Sequence, residues 1–128
     1  MMQVQVRDII NSMDTMKLLI EKPLKARVAF RVAKLVREID KEFELYNAER
    51  DKLIKKYGIK DENGELIVDE GRCRLSDENI PKFNQEIQEM LDNEVELNAQ
   101  PIALADLGEE EFTAIQLAQI EKFLDSEE

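Results

Sequence analysis

From residue 23 to residue 57 the chain reads PLKARVAFRVAKLVREIDKEFELYNAERDKLIKKY, with no proline or glycine after the first position, and Gly58 follows. Apolar residues recur at Ala29, Val32, Val36, Ile39, Phe43, Tyr46, Leu53 and Tyr57, with Arg50 the one charged interruption. Steps of three and four residues mark one face of a long helix that packs lengthwise against partners. A helix of that length spans roughly 50 Å at 1.5 Å per residue. A compact chain of this size is roughly 36 Å across. Part of the helix is therefore expected to reach beyond its own core, where an uncovered length of seam invites a partner.

The flanking segments read in the same way. Val4 and Val6 alternate with Gln3 and Gln5, predicting a short strand. Asp8 is placed to cap a first helix, whose stripe is Ile9, Met13, Met16 and Ile20, widened by Ile10 and Leu19. That helix is expected to end near Lys22, with Pro23 restarting a helix at its own first turn, so that the first two helices form a hairpin or sharp kink. Asn63-Gly64 predicts a tight turn, since both residues tolerate positive φ. Strands are expected at residues 65–68 and 72–75, with a second turn at Asp69-Glu70-Gly71 between them. Ser76 or Asp77 caps a third helix with the stripe Ile80, Phe83, Ile87, Met90 and Leu91, and Pro81 fits only in its first turn. Val95, Leu97 and Ala99 alternate with polar residues, and Ile102 and Leu104 continue an extended segment able to pair with the amino-terminal strand. Thr113 with Gln116 makes a capping box, and Phe112 with Leu117 a hydrophobic staple. The last helix presents Leu117, Ile120 and Leu124, and residues 125–128 fray into solvent. The expected fold is a single α-dominant α+β domain over residues 1–128. It comprises a long helical hairpin, two further helices and a small antiparallel β element.

Composition narrows the function classes. The chain has 128 residues, a net charge of −11, no histidine, one cysteine and 37% charged residues. Acidity on this scale opposes binding of the whole molecule to nucleic acid or anionic lipid. The missing histidine removes the commonest general base and excludes Ser–His and Cys–His nucleophile activation. No phosphate-loop or dinucleotide motif is present, and a single cysteine builds neither a disulfide nor a zinc site. Asp61, Asn63 and Glu65 alternate like calcium ligands. Gly64, however, is fourth rather than sixth from Asp61, and the twelfth residue is Arg72 instead of a glutamate. Cys73 lies between Arg72 and Arg74, where a reactive thiol is one reading, although its strand position favours a structural cysteine. No cofactor, no metal and no enzymatic activity are expected. The amino terminus lacks a signal-peptide core, and no apolar run is long enough to span a membrane, so the cytosol of whatever cell makes the protein, or a particle assembled there, is the expected location.

One asymmetry in the charge needs explaining. Residues 1–21 carry −1, residues 22–37 carry +6 and residues 38–128 carry −16, which together give the net −11. Arg27, Arg31 and Lys34 share one helix face. Three readings stand for this stripe: a solvated face paired with acidic residues of the third or fourth helix, a docking face for a protein or a second copy, and a nucleic-acid site. With the exposed length of seam, the candidate partner-binding residues are Arg27, Arg31, Lys34, Tyr46, Arg50, Leu53 and Tyr57. The acidic residues Glu38, Asp40, Glu42, Glu44, Glu49 and Asp51, with the acidic carboxy terminus, allow a further reading, in which carboxylates spaced like phosphates imitate DNA and occupy the nucleic-acid groove of an enzyme.

The order of segments resembles a family of small proteins from phages and prophages of Gram-positive bacteria. The likeness lies in KPLKARVAFRVAKLVREI running into EFELYNAERDKLIKKYG, then DENGELIVDEG, IPKFNQEIQEML, EVELNAQPIALADL and FTAIQLAQIEKF. It covers most of the chain and rests on pattern, with no catalytic motif. The resemblance implies a phage product working by protein–protein contact, as a virion, tail or assembly component, with a phage structural protein or a second copy as partner. An accessory inhibitor of a host nucleic-acid enzyme is the alternative.

Overall fold

The computed structural model describes residues 1–69 and 72–125. In chain order the elements are β1 (Met2–Gln5), α1 (Val6–Ile20), α2 (Ala26–Tyr57), β2 (Val68–Asp69), β3 (Arg72–Cys73) and α3 (Ile80–Asp92). These are followed by β4 (Glu94–Leu97), β5 (Ile102–Ala103), a 3-10 turn at Leu104–Leu107, α4 (Ala114–Ile120), a second 3-10 turn at Glu121–Phe123, and β6 (Leu124–Asp125). The protein is thus α-dominant α+β, with the long helix expected from the seam. Its contacts divide it into two units. The first is Met1–Phe43 with the chain from Asn93 onward, and the second is Glu44–Asp92; α2 contributes to both.

The first unit holds the dense core. β1 and β4 pair antiparallel, with Val4 opposite Val95 and Met2 opposite Leu97, which buries Met2, Val4 and Leu97 on one face. α1 starts where β1 stops. Asp8 turns out not to be the N-cap: Gln5 holds that position, and the Asp8 carboxylate, three residues on, accepts the Gln5 backbone N–H at 3.0 Å. The buried face of α1 is Ile9, Ser12, Thr15, Met16 and Leu19, whereas Ile20 is exposed. Two small hydroxyl residues conceal this face from a reading by hydrophobicity. Ser12 Oγ donates to the Ile9 carbonyl at 2.8 Å, and Thr15 Oγ1 donates to Gln119 Oε1 at 2.6 Å, so neither is buried with its hydrogen bond unmade. α1 packs most closely on α4, and Thr15–Gln119 ties the two.

Five residues connect α1 to α2, and Pro23 does not restart the helix. The first helical residue is Ala26, with the Ala29 N–H bonded to the Lys25 carbonyl at 2.8 Å. The added length lets Leu24 pack against the core and places Lys22 Nζ 3.6 Å from Glu110 and 4.8 Å from the centre of the Phe112 ring. The seam of α2 is also turned slightly. Val28, Val32, Leu35, Val36 and Ile39 are buried, Phe43 packs at the core's edge, and Ala29 faces solvent. Leu35 joins because a buried helix face wider than a two-position seam takes residues on both sides of it.

The carboxy-terminal part departs most from the alternation reading. β4 is the part of the extended segment that pairs with β1. Ile102 and Ala103 instead pair in parallel with Leu124 and Asp125, while Leu104 opens a 3-10 turn and is exposed. The capping box of α4 is present: Gln116 N–H to Thr113 Oγ1 at 3.1 Å and Thr113 N–H to Gln116 Oε1 at 2.9 Å. The helix then tightens at Glu121, which brings Phe123 into the core beside Ile120, both fully buried. Leu124, expected on the last helix, and Asp125, expected to fray, form a strand instead; the rest of the expected frayed end, 126–128, lies outside the described residues.

In the second unit, α2 ends at Tyr57 and Gly58 turns the chain. A Cβ at Gly58 would lie 2.5 Å from the Ile54 carbonyl oxygen and 2.6 Å from Leu66 Cδ2, so glycine is needed there for close approach. The Asp61–Gly64 turn forms with Gly64 at φ 79°, and Asp61 Oδ1 accepts the N–H groups of Asn63 and Glu65. Residue 59 bonds both to Arg74 and to Ile67, and the Arg74 N–H bonds to the Ile67 carbonyl, so three short segments form a meander. Of the expected second turn, residues 70 and 71 lie outside the described residues. Ser76 Oγ accepts the Asn79 N–H at 3.3 Å ahead of α3, where Pro81 occupies the first turn. Phe83, Ile87, Met90 and Leu91 are half-buried as a stripe, but Ile80 is exposed.

Candidate interaction surface

The amino-terminal half of α2 presents its seam inward and therefore its basic residues outward. Arg31 and Lys34 line a cleft of about 350 Å³ together with Phe30 and, from the chain between β4 and β5, Asn98, Ala99 and Gln100. Phe30 is 64% exposed. The Lys34 ammonium sits 5.3 Å from the centre of its ring, within cation–π range. On the other side, Arg31 Nη1 lies 3.9 Å from Asp106 Oδ2, with half of the arginine side chain exposed. A pair at that distance and exposure contributes little to stability, of order 0–1 kcal/mol.

The basic stretch is only partly neutralised. Lys22 and Arg31 have carboxylate partners, Glu110 and Asp106, and these belong to the segment before α4 rather than to the third or fourth helix. Lys25, Arg27, Lys34 and Arg37 have none within 4 Å among the described residues.

The other candidate residues are placed differently. Arg27 is exposed one turn before Arg31. Tyr46, Leu53 and Tyr57 are half-buried in the second unit and Arg50 is exposed there. The Tyr57 carbonyl accepts from Asn79 Nδ2 at 3.4 Å, and Lys56 bridges to Glu86 at 3.7 Å, so this end of α2 is occupied in holding its own unit together. The Lys56 ammonium is held above its ordinary 10.5, first by its side-chain hydrogen bond with Tyr57 and then by the Glu86 charge. Among the acidic residues of α2, Glu38 pairs with Lys41 at 3.1 Å and Glu49 with Lys52 at 3.0 Å, while Asp40, Glu42, Glu44 and Asp51 have no cation within 4 Å among the described residues.

Phe30, Asn98 and Gln100 were not among the residues singled out by sequence. The signal for Phe30 was present: an aromatic out of phase with the seam, three residues after Arg27 and four before Lys34. Asn98 and Gln100 carried none, because only the β4–β5 connection brings them beside α2. A second hollow of about 280 Å³ is apolar, formed by Leu104, Leu117, Ala118 and Leu124 with Glu121. No group of three or more cysteine, aspartate or glutamate side chains among the described residues is arranged to hold a metal ion. No described helix is long and apolar enough to cross a membrane.

Fold and cleft together define an α-dominant α+β protein with one basic, aromatic-lined face on an acidic body. No protein-family model, curated protein or solved structure matches the chain.

Proposed function

We propose that this protein acts by protein–protein contact and not by catalysis, and that the Phe30–Arg31–Lys34 cleft is its contact surface. The supporting observation is an exposed phenyl ring, 5.3 Å from the Lys34 ammonium, on a cleft that Arg31 also lines. Aromatic and arginine side chains are the residues that most often anchor interfaces. With the resemblance to small phage and prophage proteins, the setting we propose is a virion, tail or assembly component.

The test compares particles made with the wild-type gene and with a Phe30→Ala/Lys34→Glu gene. Mass spectrometry of purified particles and light scattering of the purified protein are the readouts. The wild-type protein is expected in the particle or as a defined oligomer, and the double variant is expected to be lost from it while keeping its helical circular dichroism. A lone monomer that is absent from particles ends this reading.

A further inference from the structure

We infer that the cleft takes a short acidic segment of a partner protein, with carboxylates on Arg31 and Lys34 and an apolar side chain against the Phe30 ring. This deepens the contact reading above and rests on it. Charge selects an anion. Residues 22–37 carry +6 in a chain of net −11, and Lys34 has no carboxylate within 4 Å among the described residues. The ring selects something apolar attached to that anion, because Phe30 is 64% exposed and lines the cleft with both cations. Asn98 and Gln100 each offer a donor and an acceptor. Neither side-chain amide is engaged in another hydrogen bond among the described residues, and such a pair suits a peptide backbone.

Size and field decide between partners. At about 350 Å³ the cleft is at the small end of ligand pockets and admits a few side chains. Outside residues 22–37 the chain carries −17, so a folded acidic partner or a second copy at −11 would meet repulsion beyond the basic patch. A short segment stays within about 8 Å of the cations, the screening length at physiological salt, and avoids most of that field. Asp106, 3.9 Å from Arg31, opposes a multiply charged phosphate more strongly than a single carboxylate.

The experiment is an NMR titration of the full, ¹⁵N-labelled chain with four probes. These are a tetrapeptide of alternating Glu and Leu, the same peptide with Lys for Glu, a ten-nucleotide oligo-dT, and buffer dilution of the protein alone. The acidic peptide is expected to move the amide signals of residues 30–34 and 98–100. Lys34→Glu is expected to weaken it by about tenfold and Phe30→Ala by about threefold, with circular dichroism unchanged, as for loss of half-exposed contacts and, at Lys34, an added repulsion. The inference is overturned by any of four results: no shifts at millimolar acidic peptide, equal binding of the lysine peptide, the same shifts at lower concentration of oligo-dT, or shifts on dilution alone. If peptides fail while the double variant still drops out of particles, this inference falls and the contact reading stands. If the peptide binds as described and the protein is absent from particles, the inference stands and the virion setting falls.

Discussion

The two units spend the same long helix differently. From Val28 to Ile39, α2 buries five side chains in a core that also contains Ile9, Met16, Leu19, Leu97, Ile102, Ile120 and Phe123. Past Phe43 no described residue of the second unit is fully buried; Tyr46, Leu53, Ile54, Phe83, Ile87 and Met90 are all half-covered. Fully burying an aliphatic or aromatic side chain stabilises by about 1.5–3 kcal/mol, and half-burial by correspondingly less. The second unit therefore depends more on turn hydrogen bonds and the Gly58 approach. Such regions open locally before the core does.

That difference can be broken or sharpened by measurement. The largest effect is expected at Phe123. Phe123→Ala removes a fully buried ring and is expected to cost about 3–5 kcal/mol in urea unfolding. Phe83→Ala on α3, half-buried, is expected to cost about half as much. Equal losses would mean that the second unit is packed as tightly as the first.

Gly58→Ala comes next, at about 1–3 kcal/mol, because the new Cβ collides with a backbone carbonyl that can move only by distorting the end of α2. Amide exchange is expected to quicken over residues 44–92 and stay slow in α1 and β4, whereas uniform quickening would argue for one cooperative unit. Thr15→Val removes the tie between α1 and α4 and leaves Gln119 Oε1 without its donor, for about 1 kcal/mol by thermal unfolding. A loss spread into residues 44–92 would contradict the division.

The smallest effect is the pH response of Lys56. Its folded pKa is raised, so its contribution is fully present below the unfolded value of 10.5 and is lost as pH rises through the folded one. Lys56 is exposed, so Lys56→Gln is expected to leave stability at pH 7 nearly unchanged and to flatten slightly the fall above pH 10.5 in urea titrations.

Much of the fold was legible in residue order. The long helix, its stop at Gly58, the Asn63-Gly64 turn and the Thr113–Gln116 capping box each rest on interactions local in sequence, whereas of the extended segment expected to pair with the amino-terminal strand only residues 94–97 do so. Less was legible where burial depends on a neighbour. Ser12 and Thr15 are buried although polar, because the Ile9 carbonyl and Gln119 satisfy them. Phe123 did not fit the last helix's stripe, because the stripe assumes a continuing α-helix and the chain tightens to 3-10 at Glu121. Of the candidate contact residues, Arg31 and Lys34 could be selected from charge alone. Their cleft could not, since Asn98 and Gln100 reach it from more than sixty positions away.

Residue order alone points to a long helix ending at Tyr57 before Gly58, its start expected at Pro23 and found at Ala26, to a basic first half on an acidic chain, and to the Thr113–Gln116 cap. These follow from periodicity, propensity and backbone sterics, which act over a few residues. The tertiary fold settled which flank of that helix is buried and that Phe30 stays in solvent on the cleft it lines with Arg31 and Lys34. It also decided that the helix's two halves belong to units of unequal packing. Burial is a property of what a face meets, and the segments that meet α2 lie far away along the chain.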